Sequence, residues 1–233
     1  MFKHYTLEQP CRIASWPACA FEVSRLEWHL VKPRAYLKQV QTSNPFNAEY
    51  YERFYFNAET RAASPTEQKR LAAFIAAYVQ YLELPIHNIL DVGCGIGTIL
   101  NALAKKLPKA QCTGVEFSKY LCDTYGWQQG SVINYQGRAD LVVCADVLAY
   151  LSKADCKKAL TNLATITNQV LYLSVLTTED VAQCDIDLTD MQQKIRPAEW
   201  YKNQLSKNFV PIGGGLFLRK PLNTVLWQLE QQT

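Results

Sequence analysis

Apolar residues recur at helical spacing from Leu71 onward. Leu71, Phe74, Ile75, Tyr78, Val79 and Leu82 share one face, which predicts an amphipathic helix running to about Leu84. Its start is written in Ser64-Pro65-Thr66-Glu67: serine caps, proline suits the first helical position, and the glutamate three residues on completes a capping box. Pro85 stops it, and after His87 the period changes. Ile89, Leu90 and Val92 make a short apolar run, Gly93, Gly95 and Gly97 follow at once, and Leu100, Leu103 and Leu107 resume a helical pattern from Thr98. Strand, glycine turn and helix in that order predict a pocket at the carboxyl end of a parallel strand.

The alternation continues downstream. CTGVEF (112 to 117) reads as a second strand ending in Glu116, Ser118 as the cap of a short helix KYLCDTYG, and GSVINY (130 to 135) as a weak third strand. Leu141 to Cys144 predicts a strongly buried strand within ADLVVCADVLAYL. Ser152-Lys153-Ala154-Asp155 is a second capping box, opening a helix through Leu160, Leu163 and Ile166. QVLYLSVL (169 to 176) is a fifth strand, and Pro197 starts a further helix. FVPIGGGLFLRK and TVLWQLEQ, joined by Lys220-Pro221-Leu222-Asn223, are expected to pair antiparallel and close the sheet. Strands alternating with helices predict a three-layer α/β sandwich.

The N-terminal part is less regular. Residues 1 to 48 carry Pro10, Pro17, Pro33 and Pro45, with FEVSRLEWHLV as a strand or helix packing on the main domain. In FNAEYYERFYFNAETR (46 to 61), Tyr50, Tyr51, Phe54 and Tyr55 form an aromatic face at helical spacing, either core or a lid over the pocket. The expected organisation is an N-terminal extension or lid, 1–63, packing on a main domain, 64–233.

Composition narrows the function classes. At 48% hydrophobic and 19% charged, the 233 residues describe a globular protein able to bury a core. No apolar run approaches the roughly 20 residues of a membrane helix, and MFKHYTLEQPCR lacks the apolar middle of a secretory signal, so a cytoplasmic protein is expected. A net charge of +3 without a dense Lys/Arg cluster argues against nucleic acid. The eight cysteines form no CxxC pair. A zinc site from Cys11, Cys19, His4 and His29 is conceivable by ligand type, but reduced thiols and no metal are the reading preferred here.

The pocket chemistry turns on the glycine spacing. A dinucleotide fingerprint wants GxGxxG, whereas Thr98 stands at the last glycine position and the pattern is D-x-G-x-G-x-G. Asp91 would crowd an anionic pyrophosphate but suits a ligand carrying an ammonium and a sulfonium. Glu116, about 20 residues beyond the turn at the next strand tip, can accept both ribose hydroxyl protons. A nicotinamide oxidoreductase is therefore disfavoured.

From roughly residue 64 to 230 the chain resembles the class I S-adenosylmethionine-dependent methyltransferases, through LDVGCGIG, GVEFS and DLVVCADVLAYL in sequence. The resemblance implies a mostly parallel seven-stranded sheet with an antiparallel C-terminal hairpin. It implies S-adenosyl-L-methionine as donor and S-adenosyl-L-homocysteine (SAH) as product. It would put Gly93, Cys94 and Gly95 against the methionine and ribose portions, within the turn that Asp91 and Gly97 bound. Glu116 would hold the ribose hydroxyls and Phe117 flank the adenine, with Ser118 next to it. Ala145 and Asp146 would lie near the methionine end, Val147 and Leu148 alongside. Many members carry an acidic residue after the third strand. Here that region is WQQGSVINY, so Gln129, Ser131 or the Val132 backbone would have to serve the adenine.

Several residues keep two readings. Asp146 is a site residue or a helix cap. Cys144 lies where some RNA methyltransferases keep a nucleophile but lacks the preceding proline, so it reads as core. His87 should sit at the far end of the sheet. Above the pocket the catalytic candidates are Tyr51, Tyr55, Asp146, Tyr150 and Tyr201, with Tyr50, Tyr172 and Trp200 as further aromatics. Asp185, Asp187 and Asp190 either recognise a cationic acceptor or form a solvated loop, and Arg196 is equally open. The expected function is methyl transfer to N or O of a small-molecule acceptor, by a monomer or homodimer. A protein acceptor, with RNA less supported, and a non-catalytic cofactor-binding partner subunit are the alternatives. CADVLAY lacks the Asn/Asp-Pro-Pro-aromatic turn of exocyclic-amine nucleic-acid enzymes.

Overall fold

Leu141, Val142, Val143 and Cys144 are all fully buried, which requires a strand covered on both faces. They lie in a sheet whose architecture we describe from a computed structural model covering residues 46–227, except positions 186 and 191. In chain order the elements are α1 (Ala48–Tyr51), a π-helical turn (Glu52–Phe56), α2 (Pro65–Tyr81), β1 (Asn88–Val92), α3 (Thr98–Lys106), β2 (Gln111–Glu116) and α4 (Lys119–Tyr125). There follow β3 (Gln128–Gln129), β4 (Ala139–Ala145), a 3₁₀ turn (Leu148–Tyr150), α5 (Lys153–Ile166) and β5 (Thr167–Ser174). A second 3₁₀ turn (Val181–Gln183), α6 (Ala198–Leu205), β6 (Phe209–Gly213) and β7 (Leu216–Arg219) complete the fold.

The seven strands run in the order β3-β2-β1-β4-β5-β7-β6. β1 pairs parallel with β2 and β4, β4 with β5, and β7 runs antiparallel to both β5 and β6. The sheet is thus mixed, with helices on both faces. The side-chain period of two splits its core: Leu90, Val142 and Cys144 join α5 and α6 on one face, while Ile89, Leu141 and Val143 join α2 and α3 on the other. By that alternation Asp91, Ala145 and Tyr172 point to the α2/α3 face, at the carboxyl ends of their strands. The strand order reverses between β1 and β4, so a crevice opens there.

The capping box at Ser64 forms as expected: Ser64 Oγ accepts from the Glu67 N–H at 3.2 Å, and Glu67 accepts from the Ser64 N–H at 2.7 Å. The second expected box does not. Ser152 Oγ caps the Asp155 N–H, but the Asp155 carboxylate takes the Ser152 hydroxyl, because the shorter side chain bonds that oxygen instead of the serine backbone. Ser118 precedes α4 without capping it by its side chain; its hydroxyl donates instead to the Phe46 carbonyl at 2.8 Å.

Two strands differ from expectation. The third is Gln128–Gln129, and residues 131–135 are a turn closed on the Ser131 carbonyl. Pairing with β2 defines that strand, not its own apolar content. The terminal hairpin lies wholly within FVPIGGGLFLRK, where Gly213, Gly214 and Gly215 make the reversal between β6 and β7. Residues 224–227 form no strand, and 228–233 lie outside the described residues, as do FEVSRLEWHLV and the four residues considered for zinc. No helix among the described residues is long and apolar enough to cross a membrane.

Candidate active site

The glycine turn is held by its neighbours. The Gly93 and Cys94 N–H groups both donate to the Val115 carbonyl of β2, at 2.7 and 3.1 Å. Gly93 and Gly97 have φ of +81° and +77°, a region that favours glycine. A Cβ on Gly93 would run into a Val147 methyl, and one on Gly97 into the Trp127 indole. Trp127 also donates from Nε1 to the Gly95 carbonyl at 3.0 Å and covers Gly114, whose added Cβ would stand 2.7 Å from the ring. The indole is thus the buttress behind the turn. The sequence pattern assigned it nothing; a large aromatic within two glycine-rich neighbours was the available signal.

Glu116 ends β2 almost fully buried, and both its oxygens are engaged. Oε2 accepts from the Gly95 N–H at 2.9 Å and Oε1 from the Ser118 N–H at 2.8 Å. Each oxygen keeps a further lone pair for a ligand hydroxyl. Gln129 pairs in register beside Glu116. Ser131 Oγ accepts from the Ile133 N–H at 3.3 Å, and the Val132 side chain is buried in the core while its carbonyl takes the Asn162 amide. Phe117 is 63% exposed at the same edge.

In the crevice lies a cavity of about 360 Å³, floored by Asp91, Gly93, Cys94 and Gly95 and walled by Tyr55, Ala145, Asp146, Tyr172 and the starts of α2 and α3. Among the described residues no Lys, Arg or His lines it. Asp91 is 2% exposed and accepts no hydrogen bond from the described residues; burial first, then the Glu116 charge, pushes its pKa up to about 7. Such a carboxylate lacks only a cation. Asp146 follows β4 with φ of +59°, an uncommon conformation for a residue with a side chain. Its N–H donates to the Ser174 carbonyl, its Oδ1 accepts the Ser174 hydroxyl at 3.1 Å, and it caps no helix. Asp146 is exposed toward the cavity, and partial desolvation by the atoms packed around it raises its pKa, against the lowering effect of the Ser174 hydroxyl.

The aromatic segment closes over this floor. Tyr51 and Tyr55 rings lie 5.2 Å apart, Tyr51 stacks on Tyr120 at 6.1 Å, and the Tyr50 and Tyr150 hydroxyls share a 2.8 Å hydrogen bond. Helical spacing did predict one aromatic face. Its backbone is a short α-helix running into a π-helical turn, a device frequent at functional sites. Burial raises the pKa of Tyr50, Tyr51, Tyr55 and Tyr150 alike, so all four phenols stay protonated at neutral pH.

Other expected residues fall elsewhere. Tyr201, expected above the pocket, is buried in the core on the α5/α6 face, where its hydroxyl accepts from Arg196 at 3.2 Å. Trp200 packs against that same core, and its ring receives the Arg196 guanidinium at 5.5 Å. Arg196 is itself buried and donates to the Leu148, Lys194 and Leu151 carbonyls, tying down the turn after β4. Asp185 and Asp187 are solvated, whereas Asp190 is buried beside Tyr150. The His87 backbone N–H donates to Asp140 at the opposite end of the sheet. Among the described residues no cluster of three or more His, Cys, Asp or Glu could hold a metal ion.

A family model described as a methyltransferase domain matches residues 48–211. Among solved structures, magnesium protoporphyrin IX methyltransferase from Synechocystis PCC 6803, crystallised with bound SAH, is similar with a TM-score of 0.54. Identity is 15% over 66% of this chain and 84% of that one. A plantazolicin methyltransferase, in complex with SAH and a monoazolic desmethylPZN analog, gives a TM-score of 0.51 and 15% identity. That match covers 61% of this chain and only 63% of its length. At such identities the likeness is one of fold. Among curated protein sequences nothing matches the chain.

Proposed function

This chain belongs to the methyltransferase-domain family, and from that premise we propose that it transfers the methyl group of S-adenosyl-L-methionine to nitrogen or oxygen of a small-molecule acceptor. The observation that carries the reading is a glycine-floored cavity that no cation among the described residues lines, with the buried carboxylate of Asp91, which accepts no hydrogen bond from them, at its base. Glu116 on the adjacent strand tip supplies the second fixed point. The residues present fit the donor. Asp91 would meet its ammonium, the backbone of Gly93, Cys94 and Gly95 would lie along it where side chains are missing, and Glu116 would take the ribose hydroxyls. Phe117, Gln129, Ser131 and the Val132 backbone would border the adenine, at the β3 edge of the sheet.

When bound, this donor supplies a methyl group already activated on a positively charged sulfur. The chain then has to orient an acceptor, exclude water and take one proton from a hydroxyl or an ammonium. The phenols of Tyr51, Tyr55 and Tyr150 are held protonated by burial, so they act as hydrogen-bond donors and do not serve as bases. Asp146 is the proton acceptor that remains at the cavity wall. Its raised pKa brings it nearer the working pH of a general base. The neighbours are named for magnesium protoporphyrin IX and plantazolicin, which supports an acceptor that is not a nucleic acid.

Titration calorimetry tests the donor. SAH should bind the native chain, and Glu116→Ala should weaken it at least about tenfold by removing charged hydrogen bonds. Binding of a nicotinamide dinucleotide with no response to SAH would refute the proposal. Labelled S-adenosylmethionine offered to separated metabolite and protein fractions then identifies the acceptor class.

A further inference from the structure

Two tyrosines of the closing segment differ in one respect. The Tyr51 phenol lies beside Glu116, Ser118 and Cys94, with a hydrogen bond to Ser118. It belongs to the strand tip of β2. Tyr55, one turn on, reaches the cavity, and its ring lies 3.5 Å from where a Gly95 Cβ would stand. Its hydroxyl has no hydrogen-bond partner among the described residues, although Asp146, Glu116, Tyr51 and Tyr150 all surround it closely enough to act on its charge. A phenol aimed into a cavity and left without an acceptor is a donor awaiting a ligand.

The cavity restricts what that ligand group is. Among the described residues its carboxylates are Glu67, Asp91 and Asp146, and no cationic side chain lines it. Glu67 accepts from the Ser64 N–H and Asp146 from the Ser174 hydroxyl, whereas Asp91 accepts no hydrogen bond from the described residues and can face a ligand's ammonium. An amino-acid group entering here brings its own carboxylate, which must find neutral donors. Resting on the donor reading given above, we infer that Tyr55 is the residue that reads the amino-acid end of the donor, its phenol donating a hydrogen bond to the carboxylate while Asp91 faces the ammonium. Tyr55 is then a cofactor-recognition residue. The segment carrying it completes the donor site rather than the acceptor site alone.

The other contacts of the segment fit this arrangement. The Ser118 hydroxyl holds the Phe46 carbonyl at 2.8 Å, and the Tyr50–Tyr150 pair holds the next turn. Both ties lie N-terminal to Tyr55 and anchor the start of the segment, while the Tyr55 ring itself packs on Tyr51 at 5.2 Å. Gly95 provides the floor under its ring; a side chain there would meet it.

The test uses two ligands that differ only at the amino-acid end. SAH and 5′-methylthioadenosine share adenine, ribose and sulfur, and the second lacks the amino acid. Calorimetric affinities are measured for the native chain and for Tyr55→Phe, which keeps the ring and removes the hydroxyl. The expected result is a loss of roughly tenfold to a hundredfold for SAH, the range of a hydrogen bond to a charged group, with methylthioadenosine changed less than about twofold. Unchanged methylthioadenosine binding also reports that the variant is folded. Equal losses for the two ligands, or no loss for either, overturn the assignment. If the native chain binds neither ligand, the donor reading itself falls, which is a separate outcome.

Discussion

Asp91 makes the free protein unstable in a way that can be measured against pH. The carboxyl is 2% exposed, and its pKa rises from the ordinary 3.8 to about 7. The native state therefore holds this proton more tightly than the unfolded chain does. Below pH 3.8 both states are protonated and Asp91 costs nothing through ionisation. As pH rises toward 7 the unfolded chain ionises while the native state resists, and stability falls by about 1.4 kcal/mol per pH unit. Above 7 the loss levels off, at roughly 4 kcal/mol; water inside the cavity lowers that figure. Asp91→Asn keeps the shape and removes the titration. The variant's melting temperature, measured relative to the native chain without ligand, should climb between pH 4 and 7 and then plateau. For a chain of this size the plateau corresponds to about 8–16 °C if the whole penalty is realised. Adding SAH at pH 8 should reverse the order, because the native chain gains an ion pair that the variant cannot form. A difference in melting temperature that stays flat from pH 4 to 8 refutes the burial argument for Asp91.

Gly97→Ala should destabilise the fold by at least about 2 kcal/mol, read by urea denaturation, since alanine is strained at φ of +77° and its methyl meets the Trp127 ring. The double variant Gly97→Ala, Trp127→Leu should recover part of that loss relative to the sum of the single changes, and strict additivity would count against the contact. Arg196→Ala should cost about 2–4 kcal/mol by leaving the Leu148, Lys194 and Leu151 carbonyls short of a donor. Because Arg196 lies on the α5/α6 side, SAH affinity at a temperature where the variant is folded should change less than about threefold.

What the sequence disclosed was whatever is fixed locally. Ser64 to Glu67 starts a helix through bonds among four consecutive residues, and the glycine turn after Val92 follows from backbone geometry that only glycine tolerates readily. The buried run of β4 announced itself by being apolar at every position. Partner-defined features were not legible. β3 is two glutamines, made a strand by the edge of β2. Gly213 to Gly215 look like an interruption within one strand and are a reversal between two. Tyr201 and Tyr55 are alike in the chain, yet a guanidinium holds one in the core and the cavity receives the other. The carboxylate of Glu116 looked free for a ligand, whereas two backbone N–H groups position it beforehand.

The indole of Trp127 has a consequence for how this family can vary. It fills the space left by the missing side chains of Gly97 and Gly114 and bonds the carbonyl of Gly95. Three positions spread over 31 residues of chain, numbered 97, 114 and 127, are thereby one packing unit. A lineage that acquires a side chain at 114 must first shrink the residue at 127. One that loses the indole first gains room for substitutions behind the turn, at the expense of the bond that steadies it. Among homologues these positions should change together, large at 127 with glycine at both others, and a library randomised at any one alone should return mostly the parental residue.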